Sequence, residues 1–322
     1  MPLRSFALLS ILVVLMFGAS AQAQVDTGFT TWANEFKERA INQGIAPTVA
    51  EAAFIDITLD PTVIRLDQKQ PEKKITWNKY LSNTVTDGRI ERGQQMLADY
   101  AEPLGKISKQ YGVQAKYIVA LWGIESDYGR QQGNFSVIRS LATLAYEGRR
   151  AEFFSKELMN ALKIIESENI PPDELRGSWA GAMGNCQFMP STFLAYAVDA
   201  TGDGHRDIWN SNIDSFASIA NYLSSIGWDD RQEWGHKVRV PEDFSTSEAD
   251  IKRARSVSHW RKRGLTYNGE PVTGRGDLYA IYPGTPEEGA VLVTENFQVL
   301  LNWNRSRYFA TAVGTLADAI GE

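Results

Sequence analysis

"ALWGIESDYGR", Ala120 to Arg130, puts a glutamate where helical periodicity asks for an apolar side chain. Ile118, Leu121 and Trp122 take the i, i+3 and i+4 positions of one helical face, and i+7 on that face is Glu125. A carboxylate facing a core has its charged form disfavoured, so its pKa rises. A raised pKa lets a carboxyl keep its proton near neutrality, as a general acid must. The competing reading sets Glu125 past the last buried turn, beside Gly129, paired with an arginine. Asp127 is a poor partner on that face, because i+2 points elsewhere. No second carboxylate is obvious at short range.

Working outward, the chain from Phe29 to about Gly235 reads as helices. "NEFKERAINQGI" is amphipathic and stops near Gly44, and "IERGQQMLADYAEPLGKISKQYG" carries an apolar stripe ending at Gly112, a C-cap glycine. "RAEFFSKELMNALKIIES" is a further amphipathic helix, and Pro190 suits the first turn of one through "STFLAYAVDA". After His236 the texture changes to "HKVRV", "LTYNG", "DLYAIYP" and "GAVLVTE", short β-prone runs between Gly, Pro and Asp. A helix returns at "QVLLNWNRSRYFATAVGTLADAI". The expected class is mainly α (α+β).

The first 23 residues read as a cleaved secretory leader: Arg4, an apolar run from Phe6 to Phe17, and Ala-Gln-Ala ending at Ala23. That run is short for a membrane span, and no lipid-acceptor cysteine follows it, so no membrane anchor is evident. The only cysteine is Cys186, which excludes an intrachain disulfide and is expected to be buried. The formal charge of −6, with no Lys/Arg block, gives no hint of nucleic-acid binding.

"GIESDYG", "RGSWAGAMGNCQFMPSTF", "VDATGDGHRDIW", "ANYLSSIGW" and "WNRSRYFA" follow one another in that order. Together they resemble the lytic murein transglycosylase B family of bacterial cell-wall enzymes, over about Phe29 to Ala319. The resemblance implies a lysozyme-like catalytic core at 114–235, a helical domain at 24–113 completed by 299–322, and a small β-rich insert at 236–298. It implies Glu125 as the one catalytic acid, acting on peptidoglycan glycan strands in the periplasm, with no catalytic cofactor. Ser178, Gln187, Tyr222 and Asn304 are the implied substrate contacts; taken singly, they read as a capping serine, a surface glutamine, a core tyrosine and a turn asparagine. Arg149 and Arg150 are the implied contacts to stem-peptide or lactyl carboxylates, against the plain reading of a solvated pair. Phe153 and Trp303 stand where members of the family have tyrosine, so hydrogen bonds made there by phenols are in question.

"DATGDGHRDIWNSNID" opens like an EF-hand loop, with Asp199, Thr201 and Asp203 at positions 1, 3 and 5 and the His205 carbonyl at 7. The resemblance closes this loop on Asp214 and implies a structural Ca²⁺ of modest affinity; a run of Asx turns is the alternative. Two other functions stay open: a lysozyme-like hydrolase, and a calcium-stabilised, non-catalytic peptidoglycan-binding scaffold for other cell-wall enzymes.

Overall fold

The computed structural model describes residues 27–69, 75–274 and 276–321; the leader read at 1–23 lies outside them. The fold is mainly helical with small antiparallel sheets. Two compact units emerge, each gathered from segments distant in sequence, and their boundary passes through 114–235 four times.

The first unit comprises, among the described residues, 27–69, 133–183 and 188–194. Its centre is the hairpin of helices Val137–Glu147 and Ala151–Glu168, turned at Gly148 with φ +95°. The longer helix buries Phe154, Leu158, Ala161, Leu162 and Ile165, an i, i+4, i+7, i+8, i+11 stripe. Helix Pro47–Phe54 packs on it, and Pro61–Gln68 packs on the shorter one. Pro61–Gln68 starts where Asp60 accepts from the N–H groups of Thr62 and Val63, with Pro61 needing no donor partner. A two-residue ladder pairs Phe135–Ser136 with Arg176–Gly177.

The second unit comprises 75–132, 184–187 and 195–321 among the described residues. Helix Ala115–Ser126 lies at its heart, packed by helices Arg307–Gly321, Asp87–Asp99, Asn212–Ser225 and Ala101–Tyr111. Every residue from Tyr117 to Gly123 is buried. The helix thus buries most of its circumference, not only the stripe that ends at Glu125. Each large side chain placed there contributes roughly 1.5–3 kcal/mol of burial.

The expected long helix at 90–112 is two helices, Asp87–Asp99 and Ala101–Tyr111, broken at Tyr100. Pro103 causes the break, since its ring would strike the carbonyl of Asp99 four residues back. Gly112 does end the second helix, in the left-handed region at φ 64°. The C-terminal helix is likewise two, Glu295–Trp303 and Arg307–Gly321. Asn304 interrupts it with extended backbone, its Oδ1 accepting from the Ser306 N–H at 3.1 Å.

Residues 235–293 hold an antiparallel sheet in the spatial order Gly235–Val238, Ala290–Val293, Asp277–Ile281, Arg255–Ser256. A short helix Val257–Lys262 and the hairpin Thr266–Tyr267/Glu270–Pro271 complete this region. Val238, Val257, Trp260, Leu265 and Leu292 fill its own small core.

Candidate active site

Glu125 sits in the last turn of helix Ala115–Ser126, and that end is tightly held. Asp127, Tyr128 and Gly129 are left-handed in succession, at φ 50°, 59° and 82°. Non-glycine residues adopt that region at a cost of roughly 1–2 kcal/mol each, so the surroundings must enforce it. The buried Asp127 carboxylate meets Arg92 at 3.0 Å, Arg130 at 2.6 Å and Arg89 at 3.7 Å. Burial pushes its pKa upward, but the Arg92 and Arg130 guanidinium groups outweigh burial and hold it below its ordinary value. Tyr128 donates its hydroxyl to the Arg89 carbonyl at 2.8 Å, with its ring edge-on to Trp122. Ser126 Oγ accepts from the Gly129 N–H at 3.1 Å. The arginines of this region therefore pair with Asp127, which answers the competing reading of Glu125.

Glu125 itself is partly buried, and its carboxyl is densely surrounded. Burial raises its pKa to about 7, opposed by one hydrogen bond to the charged form. The donor is the Trp303 indole, Nε1 to Oε1 at 2.6 Å. Sequence reasoning noted Trp303 only as a lost phenol; the structure gives the indole N–H a bond to the acid. Trp303 is in turn held edge-on by Tyr222 at 4.8 Å, and Tyr222 by Tyr196 at 4.7 Å. The Tyr222 hydroxyl donates to the Asn302 carbonyl at 3.1 Å. Tyr80, which no sequence signal singled out, feels the Glu125 charge; burial above all raises its pKa. Its ring packs against Tyr308 at 5.7 Å.

Residues 184–187 belong to this same unit. Asn185 accepts from the Trp122 indole at 3.0 Å and donates to Ser215 Oγ at 3.1 Å. Cys186 is fully buried, its thiol on the Ser215 carbonyl at 3.5 Å and its pKa pushed up by burial. Gln187 has φ 48° and spends its amide N–H₂ on the carbonyls of Gln132 and Gly184, at 3.0 and 2.9 Å. Its Oε1 is the polar atom left over. Glu125, Trp303, Tyr222 and, through the chain, Asn304 are thus gathered in one unit.

Ser178 lies in the first unit, where its Oγ accepts from the N–H groups of Ala180 and Ala182 at 3.3 and 3.0 Å. Arg149 and Arg150, also in that unit, both reach the buried Asp67 carboxylate, at 2.7 and 3.4 Å. Arg150 further covers the Phe154 ring at 4.7 Å. Their side chains remain about half exposed, 50% and 51%, so neither guanidinium is spent on Asp67 alone. Phe153 is exposed.

The 199–214 loop is held by its own backbone. Asp199 accepts from the N–H groups of Gly202 at 2.6 Å and Gly204 at 2.8 Å, and from Thr201 Oγ1 at 3.2 Å. Asp203 accepts from the His205 N–H at 2.9 Å. The fully buried Asp214 takes the N–H groups of Ala200 and Thr201 on one oxygen and of Asp207 on the other. Burial raises its pKa against these bonds. Among the described residues no group of three or more His, Cys, Asp or Glu is arranged to hold an ion. With the Thr201 hydroxyl and the His205 carbonyl added to Asp199, Asp203 and Asp214, the loop offers hard oxygen donors of the kind calcium takes.

A mainly helical unit that buries a glutamate with a raised pKa, backed by aromatic rings, has the features of an enzyme site built for acid–base chemistry. The Transglycosylase SLT domain family matches residues 28–318. Membrane-bound lytic murein transglycosylase B of Escherichia coli is 30% identical over 286 residues, 81% of this chain and 74% of the relative. SltB3 from Pseudomonas aeruginosa, crystallised with NAG-anhNAM-pentapeptide, superposes with a TM-score of 0.88 at 42% identity, covering 91% of this chain and 79% of that one. Slt35 of Escherichia coli, crystallised with calcium, gives 0.75 at 29% identity, over 90% and 92% of the two chains. The chain belongs to the lytic murein transglycosylase B family, a family of enzymes, and has the Slt35-like fold.

Proposed function

We propose that this protein cuts the β-1,4 bond between N-acetylmuramic acid and N-acetylglucosamine in peptidoglycan, with Glu125 as acid and then base. Glu125 gives its proton to the glycosidic oxygen as the C1–O bond breaks. The substrate's N-acetyl group stabilises the positive charge at C1. The C6 hydroxyl of the same muramic acid then attacks C1 and returns a proton to Glu125. The product is a 1,6-anhydromuramic acid end, and no water is consumed.

One observation carries this reading: the Glu125 carboxyl is enclosed and held by the Trp303 indole, with no charged partner among the described residues, and that burial pushes its pKa up to about 7. Ordinary glycosidases divide the work between two carboxyl groups that flank the bond. Asp127, the nearest acid in sequence, is committed to three arginines. Attack by the substrate's own hydroxyl makes a second carboxylate unnecessary. The fragment bound to SltB3 is itself a NAG-anhNAM-pentapeptide, which supports the same chemistry by kinship.

Around the acid, we assign Tyr222 and Asn304 to the walls of the glycan site and Gln187 Oε1 to sugar polar groups; for the Ser178 hydroxyl hydrogen the family resemblance implies a sugar contact of its own. The exposed halves of Arg149 and Arg150 would meet stem-peptide or lactyl carboxylates without leaving Asp67. Calcium receives no step. Asp214 already accepts three backbone N–H groups and has little acceptor capacity to spare, so we assign the 199–214 loop as a weak and structural site. The leader pattern supports a periplasmic location, and no helix among the described residues is long and apolar enough to cross a membrane.

Mass spectrometry of purified sacculi after digestion tests the proposal. Anhydro-muropeptides are expected, and Glu125→Gln should abolish their release while sacculus binding persists. Reducing muramic acid ends would show a hydrolase instead. Binding without any muropeptide release by the wild type would favour the scaffold.

A further inference from the structure

Trp303 closes the helix Glu295–Trp303, and its indole Nε1 donates to Glu125 Oε1 at 2.6 Å. The ring is not free to swing, because Tyr222 packs on it at 4.8 Å and is itself fastened to Tyr196 and to the Asn302 carbonyl. An indole N–H can donate but never accept, unlike a phenol, which does both. A proton on Oε1 would either set two hydrogens facing each other across that 2.6 Å or make the indole donate to a hydroxyl oxygen, a poorer acceptor than a carbonyl oxygen. A proton on Oε2 leaves Oε1 as a carbonyl oxygen that accepts from the indole.

We propose that Trp303 is a positioning residue that assigns the working proton of Glu125 to one oxygen, Oε2, in both halves of the reaction. This rests on the reading of Glu125 as acid and base. In the first half, the O–H bond at Oε2 breaks as the proton passes to the glycosidic oxygen, which keeps the electron pair of the broken C1–O bond. In the second half, Oε2 takes the C6 hydroxyl proton as that oxygen's pair forms the new bond to C1. Oε1 stays bonded to the indole throughout, so the acid need not rotate between steps. A tyrosine here could reverse its own hydrogen and let the proton sit on either oxygen; the tryptophan removes that freedom. The contact also favours the carboxylate, opposing burial, so losing it weakens the acid.

Three readouts on the full mature chain test this. In the wild type, the Trp303 indole ¹H–¹⁵N resonance should move with pH along a curve centred on about 7, and should lose that response in Glu125→Gln. Trp303→Phe, which keeps an aromatic ring, should lower kcat by roughly tenfold with little change in KM, and shift the alkaline limb of kcat/KM up by about one pH unit. The C=O stretch of protonated Glu125, lowered while its carbonyl oxygen accepts a hydrogen bond, should rise in Trp303→Phe. Trp303→Tyr restores a donor and should return the limb and the stretch toward wild type. A flat indole resonance, or a limb and stretch unmoved in Trp303→Phe, would overturn the assignment. Should Trp303→Phe not fold, the wild-type resonance, assigned by its loss in Trp303→Tyr, decides alone. Failure of the transglycosylase reading is separate: it would appear as absent anhydro ends even with a titrating indole.

Discussion

Glu125→Gln should stabilise the protein, and the gain should depend on pH in a defined way. In the unfolded chain this carboxyl loses its proton near 4.5, whereas in the folded chain it keeps it to about 7. Between those values the folded state binds more protons, so wild-type stability falls as pH rises. Below 4.5 the carboxyl is protonated in both states and costs nothing; above about 7 the full penalty applies. At about 1.36 kcal/mol per unit, the interval comes to roughly 3 kcal/mol, and residual solvent access trims this to about 2–3. Glutamine is isosteric, never ionises and can still accept from Trp303. The variant should therefore match the wild type near pH 4.5 and exceed it by about 2–3 kcal/mol at pH 8, a Tm gain of roughly 5–10 °C. Paired urea and thermal melts across that range provide the measurement. Every other titrating group is common to both chains and cancels in the difference. A difference that is flat in pH, or that grows toward acid, would refute the claim that burial holds the proton on this residue.

Other perturbations have different signs. Asp127→Asn should cost about 3 kcal/mol at neutral pH, by stranding arginines around a buried neutral group, and should abolish turnover if the Glu125 turn loosens. Because the Asp127 pKa is depressed, that cost should fade as pH falls below the carboxylate range, the reverse of Glu125. Gly314→Ala, in a helix interior where alanine ordinarily gains about 1 kcal/mol, should instead lower the Tm by an equivalent of about 1–3 kcal/mol. Its Cβ would lie 2.2 Å from the buried Trp234 ring. A chelator should lower the Tm slightly and leave activity intact below it. Asp214→Ala should lower the Tm further, with or without calcium, because three N–H groups lose their acceptor.

Element positions were legible wherever local chemistry decides them: the helix 151–168 by its stripe, Gly112 by its cap, the strands after His236 as β-prone runs between Gly, Pro and Asp. Two helix breaks were missed, at Tyr100 and at Asn304, although Pro103 and the Asn-Arg-Ser turn carry both in plain view. There the continuing apolar stripe masked a backbone interruption. The candidate acid was legible at Glu125, whose misfit is local to its own helix. Its partner was not. Trp303 is 178 residues away, and its spelling shows a donor but not what receives it. The Arg149–Asp67 pair, 82 residues apart, was hidden for the same reason. In the 199–214 loop the spacing reads as a set of metal ligands, and the structure adds what spacing does not show, backbone N–H groups turned onto Asp199 and Asp214. Composition and spacing give the oxygens; only the fold says which way the amides point.

A mechanism with one carboxyl makes opposite demands on it. It must hold a proton at the working pH yet yield it to an ether-like oxygen, then keep enough proton affinity to take one back from a hydroxyl. A pKa near the working pH serves both, because neither form is then costly to populate. Burial alone would carry Glu125 too far toward the permanently neutral acid, and a solvent-exposed carboxyl would stay near 4.5 and arrive without its proton. The Trp303 hydrogen bond supplies the opposing pull, at one oxygen only. Position and acidity are therefore set by the same contact. Removing the indole N–H should disturb both together, whereas loosening the Asp127 cage should disturb position while leaving the chemistry of the acid alone.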